Sequence, residues 1–517
     1  MRKQGVPLIS AGLAGFLSLA VELSLSRLLR PWFGDMLFVW AGIIGFVLLY
    51  LAVGNVLGGW WSTRGGPSRL PWIFGVAGGG ILTIPFVSRP LLLLALSGMR
   101  AYNVALPVIA FAVILLLLAI PLTLLGTVSP LAVRILARDE GESGRAAGWV
   151  FGLSTAASLL GAFLPVFLLL PALGTRATFV LLGAMSMGWA GVLWGVRRRF
   201  ARVGLLLTLL VMTGWGGYEI VRSPVKGVDP SGRGRVLYER ESAYSFIQVV
   251  EWQGERWLRL NEGEGVHSVW RPGPGLSEGI WDYFLLAPYF AAASDTPTPQ
   301  RLLVIGLAGG TIPTLYARAF GPIPMVGVEL DPAIIEVAYR YFGLGDLPSL
   351  RAVAMDGRLY LTLSDEQFDV IAVDAYRPPY IPFHLATVEF FRLADARLTP
   401  NGVVAVNAAR TRDDYSLVYA LSSTMQQVFP RVYIVEEPLN GAAWGNALVV
   451  GTKQPTSEEV FWANVGKETN PYVREMARRA RGRVSLAPPP TTVFWDDRAP
   501  VEQVVHGVMM GYLLGNK

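Results

Sequence analysis

The sequence predicts two differently built parts: an all-α, multi-pass membrane domain, followed by a doubly wound α/β domain with a small antiparallel sheet in front of it. Apolar runs long enough to cross a bilayer occur almost only before about residue 220. After about residue 228 short segments alternate apolar and polar residues, and beyond residue 300 strand and helix patterns take turns. We therefore predict domains at 1–220, 228–290 and 291–517, the last one binding a nucleoside.

Seven segments of the first part could cross a membrane, six of them clear and the last one short. They are residues 6–26, 37–61, 70–88, 104–127, 147–171, 175–196 and 203–219. One side of this topology carries the larger set of basic residues: Arg2, Lys3, Arg64, Arg69, Arg134, Arg138, Arg145, Arg197, Arg198, Arg199 and Arg202. The other side carries Arg27, Arg30, Arg89, Arg100 and Arg176. The positive-inside rule then puts the N-terminus in the cytoplasm.

The side of the α/β domain depends on whether the last segment crosses. Seven crossings would place that domain outside the cell, which conflicts with a nucleotide-type co-substrate. Either 203–219 does not cross, or 89–103 hides a further partial segment, or the domain is external. We expect a cytoplasmic domain on a multi-pass protein of the cell membrane.

Composition excludes several kinds of site. The 517 residues include no cysteine and only three histidines, so disulfides and thiol nucleophiles are absent and no metal site is predicted. The net charge of +6 comes largely from arginines between apolar segments, a pattern that suits lipid head groups rather than nucleic acid. Glu22 lies inside the first span, where it is either a polar substrate or proton site or a structural partner of an arginine.

Glycines and acids follow four consecutive predicted strands of the α/β domain, where ligands bind in such sheets. The strands are predicted at 302–307, 325–330, 351–355, 369–374, 402–407, 431–436 and 446–452. The positions that follow them are Gly306, Gly309 and Gly310 after the first strand, Glu329 after the second, Asp356 and Gly357 after the third, and Asp374 after the fourth. The glycines let backbone approach a ligand, Glu329 suits ribose hydroxyls, and Asp356 suits an adenine amino group.

The glycine turn GLAGGT lacks the third glycine of the dinucleotide fingerprint, and no Lys or Arg near it could bind phosphate. A nucleoside without phosphates fits this turn better. S-adenosylmethionine and its decarboxylated form are such ligands.

These motifs resemble the polyamine aminopropyltransferases, the spermidine synthases, in their membrane-fused branch. The resemblance rests on ESAYSFIQV (241–249), VIGLAGGT, VELDP (328–332), MDGRLYL (355–361), FDVIAVDAYRPPYIPFHLATVEFF (368–391) and WDDRAPVE (495–502), together with AVELSLSRLL and LLGTVSPLAVRIL in the membrane part. It implies a class I methyltransferase-like Rossmann fold, decarboxylated S-adenosylmethionine as co-substrate with no tightly bound cofactor, and a homodimer. It also implies that Asp374 is the catalytic carboxylate.

The sequence departs from the family pattern at three places. Ala308 stands where the family has the Asp that holds the aminopropyl end, and Arg377 stands where it has a second Asp after the catalytic one. His267 stands in place of a glutamine of the preceding sheet. Arg377 could hold a carboxylate, as on intact S-adenosylmethionine, or form a surface ion pair.

Further residues could bind the acceptor substrate. Tyr244, Tyr376 and Tyr380 either line its pocket or merely pack a lid over the site, for which the small sheet at 228–290 and the proline-rich loop after Asp374 are the candidates. His384 is either a base or an exposed residue at a helix start.

Three functions remain open at this point. The first is an integral-membrane aminopropyltransferase acting on a putrescine-like amine, which we favour. The second is a methyl- or aminocarboxypropyl-transferase that uses intact S-adenosylmethionine on a membrane-associated acceptor. The third is a non-catalytic sensor or transporter of polyamines or nucleosides.

Overall fold

The computed structural model divides the chain into two compact units. The first comprises Met1–Asp229, Glu239–Phe246 and Asn261–Gly263, and the second comprises the remainder up to Lys517. The residues that the structure describes are 2–33, 37–63, 66–102, 106–137, 142–196, 225–227, 229, 232–261, 265–292, 298–376 and 381–513. The predicted span 203–219, Arg377 and Tyr380 lie outside these described residues.

The first unit is a bundle of helices. They are α1 (Arg2–Phe33), α2 (Leu37–Ser62), α3 (Leu70–Tyr102), α4 (Leu106–Gly126), α5 (Val128–Leu136), α6 (Ser143–Leu164), α7 (Leu170–Leu173) and α8 (Thr175–Val196). Within the described residues six stretches are long and apolar enough to cross a membrane: Gly5–Trp32, Val39–Ser62, Leu70–Leu92, Phe111–Leu136, Ser143–Leu173 and Thr175–Gly195. They match the six clear spans predicted from the sequence.

Small residues let these helices pack closely. A Cβ on Gly161 of α6 would come within 2.2 Å of the Phe16 carbonyl oxygen of α1, and one on Gly54 of α2 within 2.3 Å of the Thr123 carbonyl oxygen of α4. Close contact of helix backbones through glycine is typical of membrane bundles. Gly54 and Gly161 therefore allow close packing of α2 on α4 and of α6 on α1.

Arginines at one end of the bundle bind the chain segment that follows it. Arg27 and Arg30 of α1 donate to the carbonyl oxygens of Ser242 and Tyr244. Arg89 of α3 donates to that of Lys226, and Arg176 of α8 to that of Val225. Residues 225–226 and 242–244 thus lie at the end of the bundle where α1 ends and α8 begins.

The antiparallel sheet predicted before the main fold has four strands in sequential order. They are β1 (Arg235–Glu241), β2 (Phe246–Trp252), β3 (Glu255–Leu260) and β4 (Ser268–Trp270). Strand β2 is buried on both faces over Phe246–Val250, whereas β1 is only partly buried or exposed along its length.

The second unit is built around an eight-stranded sheet of order β12-β10-β11-β9-β8-β5-β6-β7. Its strands are β5 (Leu302–Ile305), β6 (Met325–Glu329), β7 (Leu350–Ala354), β8 (Phe368–Val373), β9 (Leu398–Thr411), β10 (Arg431–Glu436), β11 (Trp444–Thr452) and β12 (Val484–Leu486). The five strands β9, β8, β5, β6 and β7 pair in parallel with one another, whereas β11 pairs antiparallel with both β9 and β10, and β12 antiparallel with β10. This confirms the doubly wound, Rossmann-like sheet that the sequence predicts.

Helices cover both faces of this sheet. They are α9 (Thr311–Phe320), α10 (Pro332–Tyr341), α11 (Gly357–Leu363), α12 (Val388–Ala396), α13 (Ser416–Met425), α14 (Glu458–Gly466), α15 (Pro471–Ala480) and α16 (Val501–Leu513). One core joins Leu302 and Val304 to the 3₁₀ helix Ile280–Phe290, and the other joins Leu303 and Ile305 to the opposite helices. Alternate residues of each strand therefore point into different cores, which explains why these strands are apolar throughout.

Chain order reverses at β5, whose neighbours are β6 on one side and β8 on the other. In sheets of this kind ligands bind in a crevice at the carboxyl ends of the two strands where the order reverses, here β5 and β8. The fold therefore directs the search for a site to the residues that follow β5 to β9.

Candidate active site

The turn after β5 begins with Gly306, which lies where the ends of β5 and β8 come together. The backbone N–H groups of Gly306 and Leu307 donate to the Val328 carbonyl oxygen of β6. Gly306 has a φ of +87°, and a Cβ there would lie 2.6 Å from the carbonyl oxygen of Asp374. The glycine thus lets the ends of β5 and β8 meet, and the space beside it is filled by the protein's own backbone.

The other two glycines of the turn set the start of α9. Gly310 is the N-cap of α9 in the left-handed conformation, with a φ of +85°. The Gly309 N–H donates to the Ser268 hydroxyl of β4 at 2.9 Å. The small sheet therefore contacts the turn directly, and the positive end of the α9 dipole faces the crevice.

Glu329 closes the same turn from β6. Its carboxylate accepts the N–H of Ala308 at 3.0 Å and the N–H of Asp331 at 3.2 Å. Burial raises the pKa of Glu329, and these backbone hydrogen bonds act in the opposite direction. The two bonds hold one oxygen of the carboxylate each and fix the side chain at the carboxyl end of β6.

Asp356 after β7 caps a helix and also binds a histidine. Its Oδ1 accepts the N–H groups of Arg358 and Leu359 at 3.0 Å, which makes it the N-cap of α11. Its Oδ2 lies 2.8 Å from Nε2 of His384. Burial raises the pKa of this carboxyl, but the Leu359 N–H and His384 outweigh it and leave the pKa below the usual range.

His384 is held in place by further polar groups. The Arg358 guanidinium donates to the His384 carbonyl oxygen at 3.3 Å and forms two bonds to Asp496, at 2.7 and 2.6 Å. His384 lies in the short 3₁₀ helix Phe383–Leu385, as the helix-start interpretation expected, but it is partly buried rather than exposed. It lies beside Asp356, the carboxylate predicted to bind the nucleobase.

Asp374 follows β8 and accepts hydrogen bonds from two uncharged donors. The indole Nε1 of Trp281 donates to Oδ2 at 2.8 Å, and the Asn407 Nδ2 donates to Oδ1 at 2.8 Å. Burial raises the pKa of Asp374 to about 6, although both hydrogen bonds favour the ionised form. The side chain is therefore a rigidly oriented carboxylate that is ionised near neutral pH and becomes protonated in weak acid.

The 3₁₀ helix Ile280–Phe290 positions Trp281. The buried carboxylate of Asp282 accepts the N–H and hydroxyl of Ser277 at 2.7 and 2.6 Å, and the N–H of Glu278 at 2.8 Å. These bonds fix the first turn of the helix, while its apolar residues pack in the core beneath the sheet. Trp281 is held between this core and the end of β8.

The remaining predicted residues have different surroundings. Burial and the nearby Arg259 lower the pKa of His267 to about 4, so the ring is neutral at physiological pH. His267 immediately precedes Ser268, which contacts the glycine turn. The Tyr376 hydroxyl accepts the Ala409 N–H at 2.6 Å and is thus engaged by β9.

Gly357 and Tyr244, the last two predicted residues, lie in different parts of the structure. Gly357 begins α11 against β5, since a Cβ there would lie 2.3 Å from Cγ2 of Ile305. Tyr244 belongs to the first unit, where its carbonyl oxygen accepts a bond from Arg30. The structure therefore gathers Gly306, Glu329, Asp356 and Asp374 at the strand ends.

Sequence reasoning missed Trp281 and Asn407. Asn407 could have been found, because it ends the predicted strand 402–407 and the rule applied to the first four strands holds for the fifth as well. Trp281 carries no such signal, since an indole in an apolar stretch reads as a core residue. No three metal-binding side chains lie together anywhere in the part of the chain that the structure describes.

The sequence of this chain is similar to those of known proteins. Residues 291–454 match the Spermine/spermidine synthase domain. A probable polyamine aminopropyl transferase from Bifidobacterium longum is 31% identical over 284 residues, which cover 52% of this chain and 61% of the relative. The polyamine aminopropyltransferase of Vibrio vulnificus is 31% identical over 212 residues, covering 40% of this chain and 69% of the relative.

Solved structures are also similar. A probable spermidine synthase from Corynebacterium glutamicum aligns with a TM-score of 0.40 at 18% identity, covering 52% of this chain and 94% of that one. The spermidine synthase of Thermotoga maritima aligns with a TM-score of 0.37 at 19% identity, covering 55% and 88%.

The family match agrees with the resemblance drawn from the sequence motifs and with the predicted type of enzyme. The match spans the glycine turn, all three acids at the strand ends, and Asn407. By its similarity to relatives such as the Vibrio vulnificus enzyme, the chain belongs to the polyamine aminopropyltransferase family.

Proposed function

We propose that this protein is an integral-membrane aminopropyltransferase, which moves the aminopropyl group of decarboxylated S-adenosylmethionine to an amine acceptor such as putrescine. The observation that carries this proposal is the Asp374 carboxylate, fixed by Trp281 and Asn407 at the end of β8. A carboxylate held in this way, with a pKa of about 6, is ionised at neutral pH and can orient an amine and take up its proton.

The donor nucleoside would lie along the strand ends. Glu329 would accept hydrogen bonds from the ribose hydroxyls, and Asp356, oriented by His384, would accept one from the adenine amino group. The neutral ring of His267 would face the aminopropyl chain, next to the turn that Ser268 contacts. None of these groups needs a phosphate, which fits a nucleoside sulfonium.

The transfer is a single displacement. The lone pair of the neutral amine forms a bond to the propyl carbon beside the sulfonium, the carbon–sulfur bond breaks, and its electron pair stays on sulfur as methylthioadenosine leaves. The new ammonium then releases a proton to Asp374 and on to solvent. Holding amine and sulfonium in line supplies much of the remaining acceleration.

Mass spectrometry of the products tests this proposal. The purified full chain, incubated with decarboxylated S-adenosylmethionine and putrescine, should release methylthioadenosine and spermidine in equal amounts. Intact S-adenosylmethionine, offered in parallel, should give no methylthioadenosine. Methylated product from the intact donor would instead support the methyl-transfer alternative, in keeping with Ala308 at the place of the family's aspartate. A donor that stays unchanged on the protein would support the sensor alternative.

The membrane part of the proposal rests on the six apolar helices. Membrane pellets washed with alkaline carbonate should retain the protein if these helices cross the bilayer. A homodimer is proposed from the family alone.

Two arguments about the side of the membrane on which the active site lies point in opposite directions. A sulfonium nucleoside as co-substrate favours a cytoplasmic site. The bonds from Arg27 and Arg176 to the segment after the bundle favour the other side, because the positive-inside rule assigns these arginines to it. Since the chain has no cysteine, one introduced at the exposed Gln253 can be labelled with an impermeant maleimide in intact cells. Labelling places the site outside, and protection until the cells are broken places it in the cytoplasm.

A further inference from the structure

Helix α2 has one face in contact with the bundle and another face that is open. A Cβ on Gly58 would lie 2.5 Å from the Thr127 carbonyl oxygen, so this glycine packs inside the bundle, as Gly54 does. A Cβ on Gly45 or Gly59 of the same helix would meet nothing within 4 Å. Gly45 and Gly59 therefore lie on a face that the described part of the bundle leaves uncovered.

The open face follows a regular spacing along α2. Exposed residues recur on it at alternating intervals of four and three positions: Ala41, Gly45, Leu48, Ala52, Asn55 and Gly59. At 3.6 residues per turn they fall within an arc of about 80° around the helix. A repeat of this kind is the one by which two helices pack along a shared seam, and small residues in the seam let the two backbones approach closely. We call these six residues the α2 seam.

Asn55 is the one polar residue of the α2 seam. Its side chain is exposed, and its carboxamide makes no hydrogen bond with any residue that the structure describes. Trp60, which is 53% exposed, follows five positions later, and tryptophans near the end of a span lie at the level of the head groups. At 1.5 Å per residue Asn55 lies about 8 Å deeper than this level, inside the hydrocarbon. Lipid tails offer no hydrogen bond, so a carboxamide at this depth needs a partner.

A second copy of the chain supplies that partner. Copies in one membrane share one orientation, so two of them meet about a two-fold axis along the membrane normal, and each residue on the axis faces its own counterpart. A carboxamide both donates and accepts hydrogen bonds, so Asn55 is complementary to itself. The neighbouring seam residues Ala52 and Gly59 are small enough to bring two such short side chains within reach. A single Asn in a helical seam also fixes the register of the two helices.

We propose that α2 forms the interface of a homodimer within the membrane, packed along the α2 seam and held in register by a pair of Asn55 carboxamides. This inference rests on the membrane part of the proposed function and not on the transfer reaction. It gives the dimer a surface on this chain and an argument that does not depend on the family.

Cysteine cross-linking tests the interface, because the chain contains no cysteine of its own. The full chain carrying Ala52→Cys is oxidised with copper phenanthroline in native membranes, and the disulfide-linked dimer is measured on a non-reducing gel. Val53→Cys is the matched control, since Val53 is also exposed, at 42%, and lies at nearly the same depth but about 100° around the helix. Because a disulfide needs the two Cβ atoms close together, the yield of dimer should be at least about fivefold higher from Ala52→Cys.

A second measurement tests Asn55 itself. Association of two differently labelled samples of the full chain is followed by energy transfer in lipid vesicles. Asn55→Leu should weaken association about 5–30-fold, the range expected for a hydrogen bond between membrane helices. Asn55→Gln, which keeps both the donor and the acceptor, should associate nearly as well as wild type. Val53→Leu, off the seam, should leave association unchanged.

Several results would overturn the inference. They are equal dimer yields from Ala52→Cys and Val53→Cys, cross-links only to proteins of another mass, and an Asn55→Leu protein that associates as tightly as wild type. If Ala52→Cys does not reach the membrane, Leu48→Cys, about one turn away on the same seam, gives the same readout. A protein that alkaline carbonate removes from membranes overturns the membrane part of the proposed function and the inference with it. A cross-linked dimer that releases no methylthioadenosine supports the inference and overturns only the proposed reaction.

Discussion

Replacing Trp281 by Phe should move the pH dependence of the reaction, because it removes one of the two hydrogen bonds to Asp374. The bond from the indole Nε1 to Oδ2 is 2.8 Å long, and Trp281 is 9% exposed. A hydrogen bond to a charged group contributes about 1.5–3 kcal/mol, and we use the lower end because Asp374 is only partly buried. Since one pKa unit corresponds to about 1.4 kcal/mol, losing the bond should raise the pKa of Asp374 by about one unit.

The sign follows from which form of Asp374 receives the bond. The indole stabilises the ionised carboxylate, so its loss favours protonation and shifts the pKa upward from about 6. Activity needs the ionised form, which is therefore lost at a higher pH in the variant. At pH 5 the kcat/KM of the variant relative to wild type should be about tenfold lower than the same ratio at pH 9.

The assay is kcat/KM for the amine, by methylthioadenosine release, from pH 5 to pH 9. Taking the ratio of variant to wild type cancels the titration of the amine itself, which otherwise dominates such a profile. Tyr283→Phe is the matched control, since Tyr283 is a buried aromatic of the same 3₁₀ helix with no hydrogen bond to Asp374, and its ratio should not change with pH. A flat ratio for Trp281→Phe would refute the claim that the indole tunes this carboxylate.

Three further predictions concern the strand ends. Asp374→Asn should lower kcat by about 10²–10⁴-fold with donor binding retained, measured by product release and calorimetry with the donor, and a variant with near-normal kcat would remove Asp374 from the mechanism. Glu329→Gln should raise the KM or Kd of the nucleoside donor by about tenfold or more while kcat changes less, because a charged acceptor is replaced, and unchanged donor binding would contradict the ribose assignment. Gly306→Ala should lower the thermal midpoint of unfolding by several degrees, since φ is +87° and the new methyl group would lie 2.6 Å from a carbonyl oxygen. Gly441→Ala is its control: φ is also +87°, but nothing lies within 4 Å of the new methyl group, so the thermal midpoint should fall less.

Much of the α/β part could be predicted because strand ends in such a fold share one edge. Residues that end a run of apolar residues, such as Glu329 and Asp374, are recognisable from the chain alone, and parallel pairing then brings them together. The six clear spans were predictable for a similar reason, since length and hydropathy are local properties.

Other features are not local and could not be predicted. Trp281 lies 93 residues before Asp374, and only the packing of its 3₁₀ helix beneath the sheet brings the indole to the carboxylate. His384 meets Asp356 because the chain after β8 returns across the end of β7. Neither partner is marked by a spacing in the sequence.

The sequence by itself determined the order of elements, the sheet edge that carries the acids, and the residue types available for the chemistry. The periodicity of apolar residues, together with the glycines and acids that end each run, is sufficient to predict these features, because each depends only on residues close by in the sequence. The tertiary structure alone decided which groups face each acid, and so the pKa of each. Only the folded chain shows that the backbone of Asp374 fills the space beside Gly306 and that one oxygen of Asn407 has no hydrogen-bond partner among the described residues. Burial and hydrogen bonding depend on segments that are far apart in sequence and meet only in the fold.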